Sequence, residues 1–139
     1  MLQATIAAHI VNYYLANGLP PGLFLDIGSG TGVAAEVLRD AGHDCIGCDL
    51  SRAMLSASDP ATRSTSALSD AGDGLPFRPA TFDGCLSVST LQWLCYDYQG
   101  RPASSRCLRF FRSLHTVLKP HARGAFQYFP EDTDHIDLL

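Results

Sequence analysis

The chain has 139 residues, 46% of them hydrophobic, and a formal net charge of −4. That is enough apolar material for one soluble domain with its own core. No run approaches the ~18 apolar residues of a membrane span, and the N-terminus lacks a signal peptide's charged-then-apolar order. The acidic balance argues against a bare nucleic-acid platform, which needs clustered Lys and Arg. Five cysteines are an odd number, and several sit inside apolar runs. This suits free buried thiols in a reducing compartment better than a disulfide framework.

In chain order, Leu2 to Leu15 carries apolar residues at 2, 6, 10, 13 and 14, a helical period that Asn17-Gly18 and Pro20-Pro21 stop. Leu23 to Ile27 is a short apolar run bounded by glycine, which predicts a buried parallel strand. Gly28-Ser29-Gly30-Thr31-Gly32 follows, and then a helix from Val33 to Ala41 with Val33, Val37 and Leu38 inward and Gly42 at its end. His43 to Leu50 is a second strand ending in Asp49. Within it Cys45-x-x-Cys48 has the spacing of a redox pair or half a zinc site, but no second pair stands at ligand spacing. We expect both thiols to be packing residues and no metal site.

Ser51 caps a helix to about Ser58, which Pro60 closes. Ser64 to Leu68 is the expected third strand, residues 69–74 a loop, and Gly84 to Ser89 the fourth strand. Leu91 to Tyr98 is a short helix or loop and residues 100–105 a linker. An amphipathic helix then runs from Arg106 to Leu118 with Leu108, Phe111, Leu114, Val117 and Leu118 inward. Residues 120–124 turn into a fifth strand, Gly124 to Phe129.

This alternation predicts an α/β fold, a doubly wound, mostly parallel Rossmann-like sheet of order 3-2-1-4-5, with residues 1–139 as a single domain. Ligands bind such sheets beyond the carboxyl ends of the strands at the switch point. The glycine loop, Asp49, Asp70 and Ser87 to Ser89 all fall on that edge. Asp49 can accept from both hydroxyls of a ribose, or cap the next helix. Asp70-Ala71 can meet an adenine through a carboxylate and an N–H, or Asp70 can close an Asx-turn.

The spacing of the glycines selects the ligand. A dinucleotide fingerprint is Gly-x-Gly-x-x-Gly, which would need a glycine where Val33 stands. Asp26-x-Gly28-x-Gly30-x-Gly32 instead resembles motif I of the class I S-adenosylmethionine-dependent methyltransferases. Further stretches narrow the likeness: Gly47-Cys48-Asp49-Leu50-Ser51-Arg52-Ala53-Met54-Leu55, residues 70–79, residues 81–89, Leu91-Gln92-Trp93-Leu94-Cys95, Arg106 to Phe111, and Gln127 to Glu131. Together they resemble the eukaryotic 18S ribosomal RNA guanine-N7 methyltransferases over nearly the whole chain.

That resemblance implies a methyltransferase with S-adenosyl-L-methionine as cofactor, acting on N7 of a guanine in small-subunit ribosomal RNA in the nucleus, during ribosome biogenesis. It implies cofactor contacts from Asp26, Gly28, Ser29, Gly30, Gly32, Asp49, Leu50, Asp70, Ala71 and Ser87. Gln92, Trp93 and Tyr96 would hold the guanine. N7 has a free lone pair and no proton, so no catalytic base is expected. It also implies a small zinc-binding activator protein, for which the edge strand at 64–68 offers a place. The family has a segment before the first helix and further strands with a basic tail after the fifth. We therefore expect a chain truncated at both ends, its sheet lacking the last strands, and nearly inactive alone. The alternatives left open are a methyltransferase of a small molecule or protein, a non-catalytic partner-binding fragment and, third, a dinucleotide oxidoreductase.

Overall fold

The computed structural model describes residues 2–15 and 18–139. Five strands form one sheet: β1 (Leu23–Ile27), β2 (Asp44–Asp49), β3 (Ser66–Leu68), β4 (Phe82–Val88) and β5 (Leu118–Gln127). Their order is β3-β2-β1-β4-β5, and every adjacent pair is parallel. This is the expected order. β1 lies at the centre because it is apolar on both faces, and such a strand is stable only where helices cover both sides.

The two faces carry separate cores. On one, Leu25, Ile27, Cys48, Phe82 and Cys85 pack against Phe110, Leu114 and Val117 of α5 (Ala103–Val117). On the other, Phe24, Cys45 and Leu86 pack against α2 (Val33–Asp40), α1 (Leu2–Ile10) and the π-helical turn Val11–Leu15 that extends α1. Cys45 and Cys48 are three residues apart on a strand, so they point to opposite faces and into different cores. All five cysteines are buried and free, and burial pushes the Cys48 thiol up to about 12. The packing expectation holds. Among the described residues no cluster of His, Cys, Asp or Glu could hold a metal ion. No helix is long and apolar enough to cross a membrane.

Several boundaries differ from expectation. Of the expected stop at Asn17-Gly18 and Pro20-Pro21, Asn17 lies outside the described residues. In α2 the fully inward residues are Ala34, Ala35 and Leu38, while Val33 and Val37 are half-buried. α3 spans Arg52–Ala57 with the Ser51 cap as predicted. Pro60 does not close it but opens α4 (Pro60–Ser64), because the Asp59 carboxylate accepts from Ala61 N and Thr62 N and proline suits a first helical position. β3 is therefore shorter than predicted, with Ser64 inside the helix. α5 starts at Ala103, and its buried stripe is Arg106, Cys107, Phe110, Leu114 and Val117; Leu108 is 52% exposed and Phe111 half-buried. β5 begins at Leu118, with an irregularity where Phe82 faces Leu118 and Gly84 faces Arg123. His121 there has φ +65°. The strand ends at Gln127, and a helix the sequence did not announce, α6 (Thr133–Leu138), follows, capped by Asp132 through His135 N at 3.0 Å.

Candidate active site

A cavity of about 280 Å³ opens beyond the carboxyl ends of β1, β2 and β4, and the glycine loop forms its floor. Gly28, Gly30 and Gly32 have φ of +72°, +53° and +91°, a region that L side chains rarely enter. The loop's amides are turned inward. Gly28 N and Ser29 N donate to Cys48 O (2.8 and 3.0 Å), Gly32 N to Ser29 O (2.8 Å) and Gly30 N to Asp49 Oδ2 (2.8 Å). A Cβ on Gly28 would lie 1.9 Å from Thr90 Oγ1, and one on Gly32 would lie 2.4 Å from Thr62 Cγ2. These two glycines allow close packing of the protein on itself. Gly30 meets only Met54 Cε, at 3.2 Å, and lines the cavity, whereas Gly32 does not.

Asp26 stands at the base of the cavity, 2% exposed, and its Oδ2 has no hydrogen-bond partner. Burial, with the Asp49 charge adding to it, pushes its carboxyl up to about 7. Ser29 Oγ and Ser69 Oγ, also on the cavity wall, are buried and unpartnered too. Unsatisfied buried polar groups are costly, and their convergence on one cavity marks a place for a polar ligand. Asp49 lines the wall with one oxygen on Gly30 N and the other on Ser51 N, at 2.7 Å. It thus pins the glycine loop to β2, while each oxygen retains a lone pair for a ligand. Leu50, Asp70 and Ala71 complete that side.

Asp70 closes the Asx-turn, its Oδ1 accepting from Gly72 N at 2.9 Å, and the same oxygen accepts from Arg106 Nη2 at 3.0 Å. Arg106, 4% exposed, also donates through Nη1 to Trp93 O (3.0 Å) and Tyr96 O (2.9 Å). Sequence reasoning did not single it out as a site residue. The available signal was a cation recurring with Phe110, Leu114 and Val117 on the apolar stripe of an amphipathic helix.

Four expected site residues stand apart from the cavity wall: Gly32, turned against Thr62, and Ser87, Gln92 and Tyr96. Ser87 is wholly buried, and its Oγ donates to Ile27 O at 2.9 Å, tying β4 to β1; Val88, Ser89 and Thr90 line the cavity instead. Strand alternation places Ser87 on the wrong side. Gln92 is half-buried with Oε1 unpartnered, outside the cavity wall. Tyr96 lies behind Trp93, their ring centroids 6.2 Å apart, and edge-on to His135 at 5.0 Å. A hydrogen bond with Glu131 and burial push its hydroxyl up to about 12. Trp93 does line the cavity and is 64% exposed, so it is not a core residue.

The family described as a methyltransferase domain matches residues 25–126, a span holding every strand end and loop of this cavity. The chain belongs to that methyltransferase domain family. The domain is 40% identical over 121 residues to the 18S rRNA (guanine-N(7))-methyltransferase of Mus musculus, covering 86% of this chain and 43% of that protein. It is 36% identical over 126 residues to the 18S rRNA (guanine(1575)-N(7))-methyltransferase of Saccharomyces cerevisiae, covering 88% and 46%. The chain thus spans less than half the length of these relatives. In fold it is similar to an S-adenosylmethionine-dependent methyltransferase from Mesorhizobium loti, with a TM-score of 0.67 at 23% identity, covering 88% of this chain and 53% of that one.

The residues present fit the cofactor that such a methyltransferase domain requires, S-adenosyl-L-methionine. An orphaned buried carboxylate suits an ammonium group, unpartnered hydroxyls suit a carboxylate or further polar atoms, and an acid at the tip of β2 suits a ribose. Gly30 leaves the floor open where a larger side chain would fill it.

Proposed function

We propose that this methyltransferase domain transfers a methyl group from S-adenosyl-L-methionine to N7 of a guanine in small-subunit ribosomal RNA, as part of nuclear ribosome biogenesis. The observation that carries the reading is Trp93, the chain's sole tryptophan, standing 64% exposed on the wall of the cavity whose base is Asp26. An exposed aromatic ring beside a cofactor cavity is what an unstacked base needs as a partner. Its neighbours lie in the region that resembles the ribosomal RNA enzymes.

When bound, the cofactor supplies an electrophilic methyl on a sulfonium. Asp26 holds the amino-acid end, Asp49 the ribose, and Asp70 with Ala71 the adenine, while Gly30 keeps the floor open. Trp93 stacks on the guanine, and Tyr96 backs the Trp93 ring. No residue need move a proton at N7, so the chain's contribution is alignment of the two reactants.

Incubation with radiolabelled cofactor and small-subunit ribosomal RNA tests the reading. We expect label as N7-methylguanosine at one position, in protein supplemented with its partner. Label on protein or on small acceptors, with none on RNA, would overturn it.

We further propose that a small zinc-binding activator pairs with the free edge of β3. Ser66 and Ala67 are half-buried, Leu68 is 47% exposed, and no charge on the strand repels a neighbour.

A further inference from the structure

We propose that Arg106 is a positioning residue that makes the adenine end of the cofactor site and the Trp93 platform a single mechanical unit. The inference rests on the cofactor reading above and adds a coupling to it.

The geometry is that of a bridge. One terminal nitrogen of the guanidinium holds Asp70 Oδ1 at 3.0 Å, and the other holds Trp93 O and Tyr96 O at 3.0 and 2.9 Å. The Arg106 and Asp70 side chains are only 5% and 11% exposed. The Tyr98 ring centroid lies 5.1 Å from the guanidinium carbon, and Gly72 gives it room, since a Cβ there would sit 2.7 Å from Arg106 Nε. A buried cation is a poor device for stability, because apolar residues of like volume usually serve as well. Here all three of its hydrogen bonds run to the two segments that supply Asp70, Ala71, Trp93 and Leu94 to the cavity wall.

Two consequences follow from the chemistry. With Oδ1 taken by Gly72 N and Arg106, Asp70 is held in one rotamer, leaving Oδ2 for a ligand. The ring of Trp93 hangs from a backbone carbonyl anchored to the same cation, so a ligand that pulls on Asp70 also pulls on Trp93. Lysine cannot replace this fork, since its single nitrogen does not span both anchors.

Trp93, the chain's sole tryptophan, reports the coupling directly. We expect saturating S-adenosylhomocysteine to lower the acrylamide quenching constant of Trp93 at least twofold in the wild-type chain. In Arg106→Lys the ligand should bind at least tenfold more weakly and, once occupancy measured by calorimetry is complete, leave the quenching constant unchanged. Gly72→Ala, which displaces the guanidinium without removing it, should behave alike. Asp70→Asn combined with Arg106→Lys should bind no more weakly than the weaker single variant, because both cut one link. Full protection of Trp93 in saturated Arg106→Lys and Gly72→Ala, or additive losses in the double variant, would overturn the bridge. Ligand binding by wild type with no change at Trp93 would overturn the bridge alone, whereas no binding at all would overturn the cofactor reading with it.

Discussion

Asp26 carries a conflict that only a ligand resolves. Its carboxyl has a raised value of about 7 against an ordinary 3.8, because burial disfavours the charged form. A carboxyl raised in the folded state contributes stability that is fully present below its unfolded value and lost as pH rises through the folded one. Asp26 should therefore withdraw stability from the ligand-free domain between about pH 4 and 7, read in urea melts as a stability difference between Asp26→Asn and wild type that grows across that window. Ligand binding runs the opposite way, since an ammonium pairs with the ionised form. Affinity for S-adenosylhomocysteine should fall about tenfold per unit below pH 7, a dependence that Asp26→Asn abolishes. A pH-independent affinity in the wild type would contradict the assignment. The loop glycines divide in a similar way. Gly32→Ala should cost roughly 2 kcal/mol or more of stability, from its left-handed φ and the collision with Thr62. Gly30→Val, strained by the same left-handed φ, should in addition lower ligand affinity more than tenfold, read by calorimetry on the folded variant.

At the scale of elements, α5 decides how the site is held. Its inward stripe runs through Cys107, Phe110, Leu114 and Val117, and that rotation is what carries Arg106 into the interior. Had the stripe run through Leu108 and Phe111, Arg106 would face solvent and Asp70 would lose its ion pair. The two registers make different predictions. Phe110, fully buried beside Phe111 at 4.9 Å between ring centroids, should cost about 3–5 kcal/mol when cut to alanine. Leu108→Ala, at a site 52% exposed, should stay within about 0.5 kcal/mol. Equal losses on denaturation would contradict the observed face.

At the scale of the molecule, the sheet leaves β3 as an edge, and its hydrogen-bonding parity selects the test of the proposed partner. Gly47 N donates to Thr65 O and Ser69 N to Asp49 O, so residues 65, 67 and 69 turn their polar groups toward β2. Ser66 and Leu68 face outward. A proline at Ala67 would break the sheet itself, whereas Leu68→Pro removes an outward N–H and spares the inner ladder. Leu68→Pro should abolish co-purification with the activator and leave the circular dichroism spectrum unchanged. Undiminished complex with this variant would place the partner elsewhere.

The order of the strands, the cavity at their carboxyl ends and the glycine loop with Asp26, Asp49 and Asp70 were determined by the sequence alone. They follow from local rules: apolar runs bounded by glycine, helical periods between them, and right-handed crossovers that leave one switch point. The packing role of Cys45 and Cys48 was equally local, because strand parity separates residues three apart. What only the tertiary structure decided were the matters of phase and partnership. Asp59 made Pro60 a helix start; strand alternation took Ser87 out of the cavity; the expected α5 stripe through Leu108 and Phe111 gave way to one through Cys107 and Phe110. A cation on the apolar stripe of α5 was a legible oddity, but the partners of Arg106 were not, because its three anchors lie 10, 13 and 36 positions away. A hydrogen bond over such separations exists only once the sheet has brought its loops to one edge, and no periodicity in the chain encodes it.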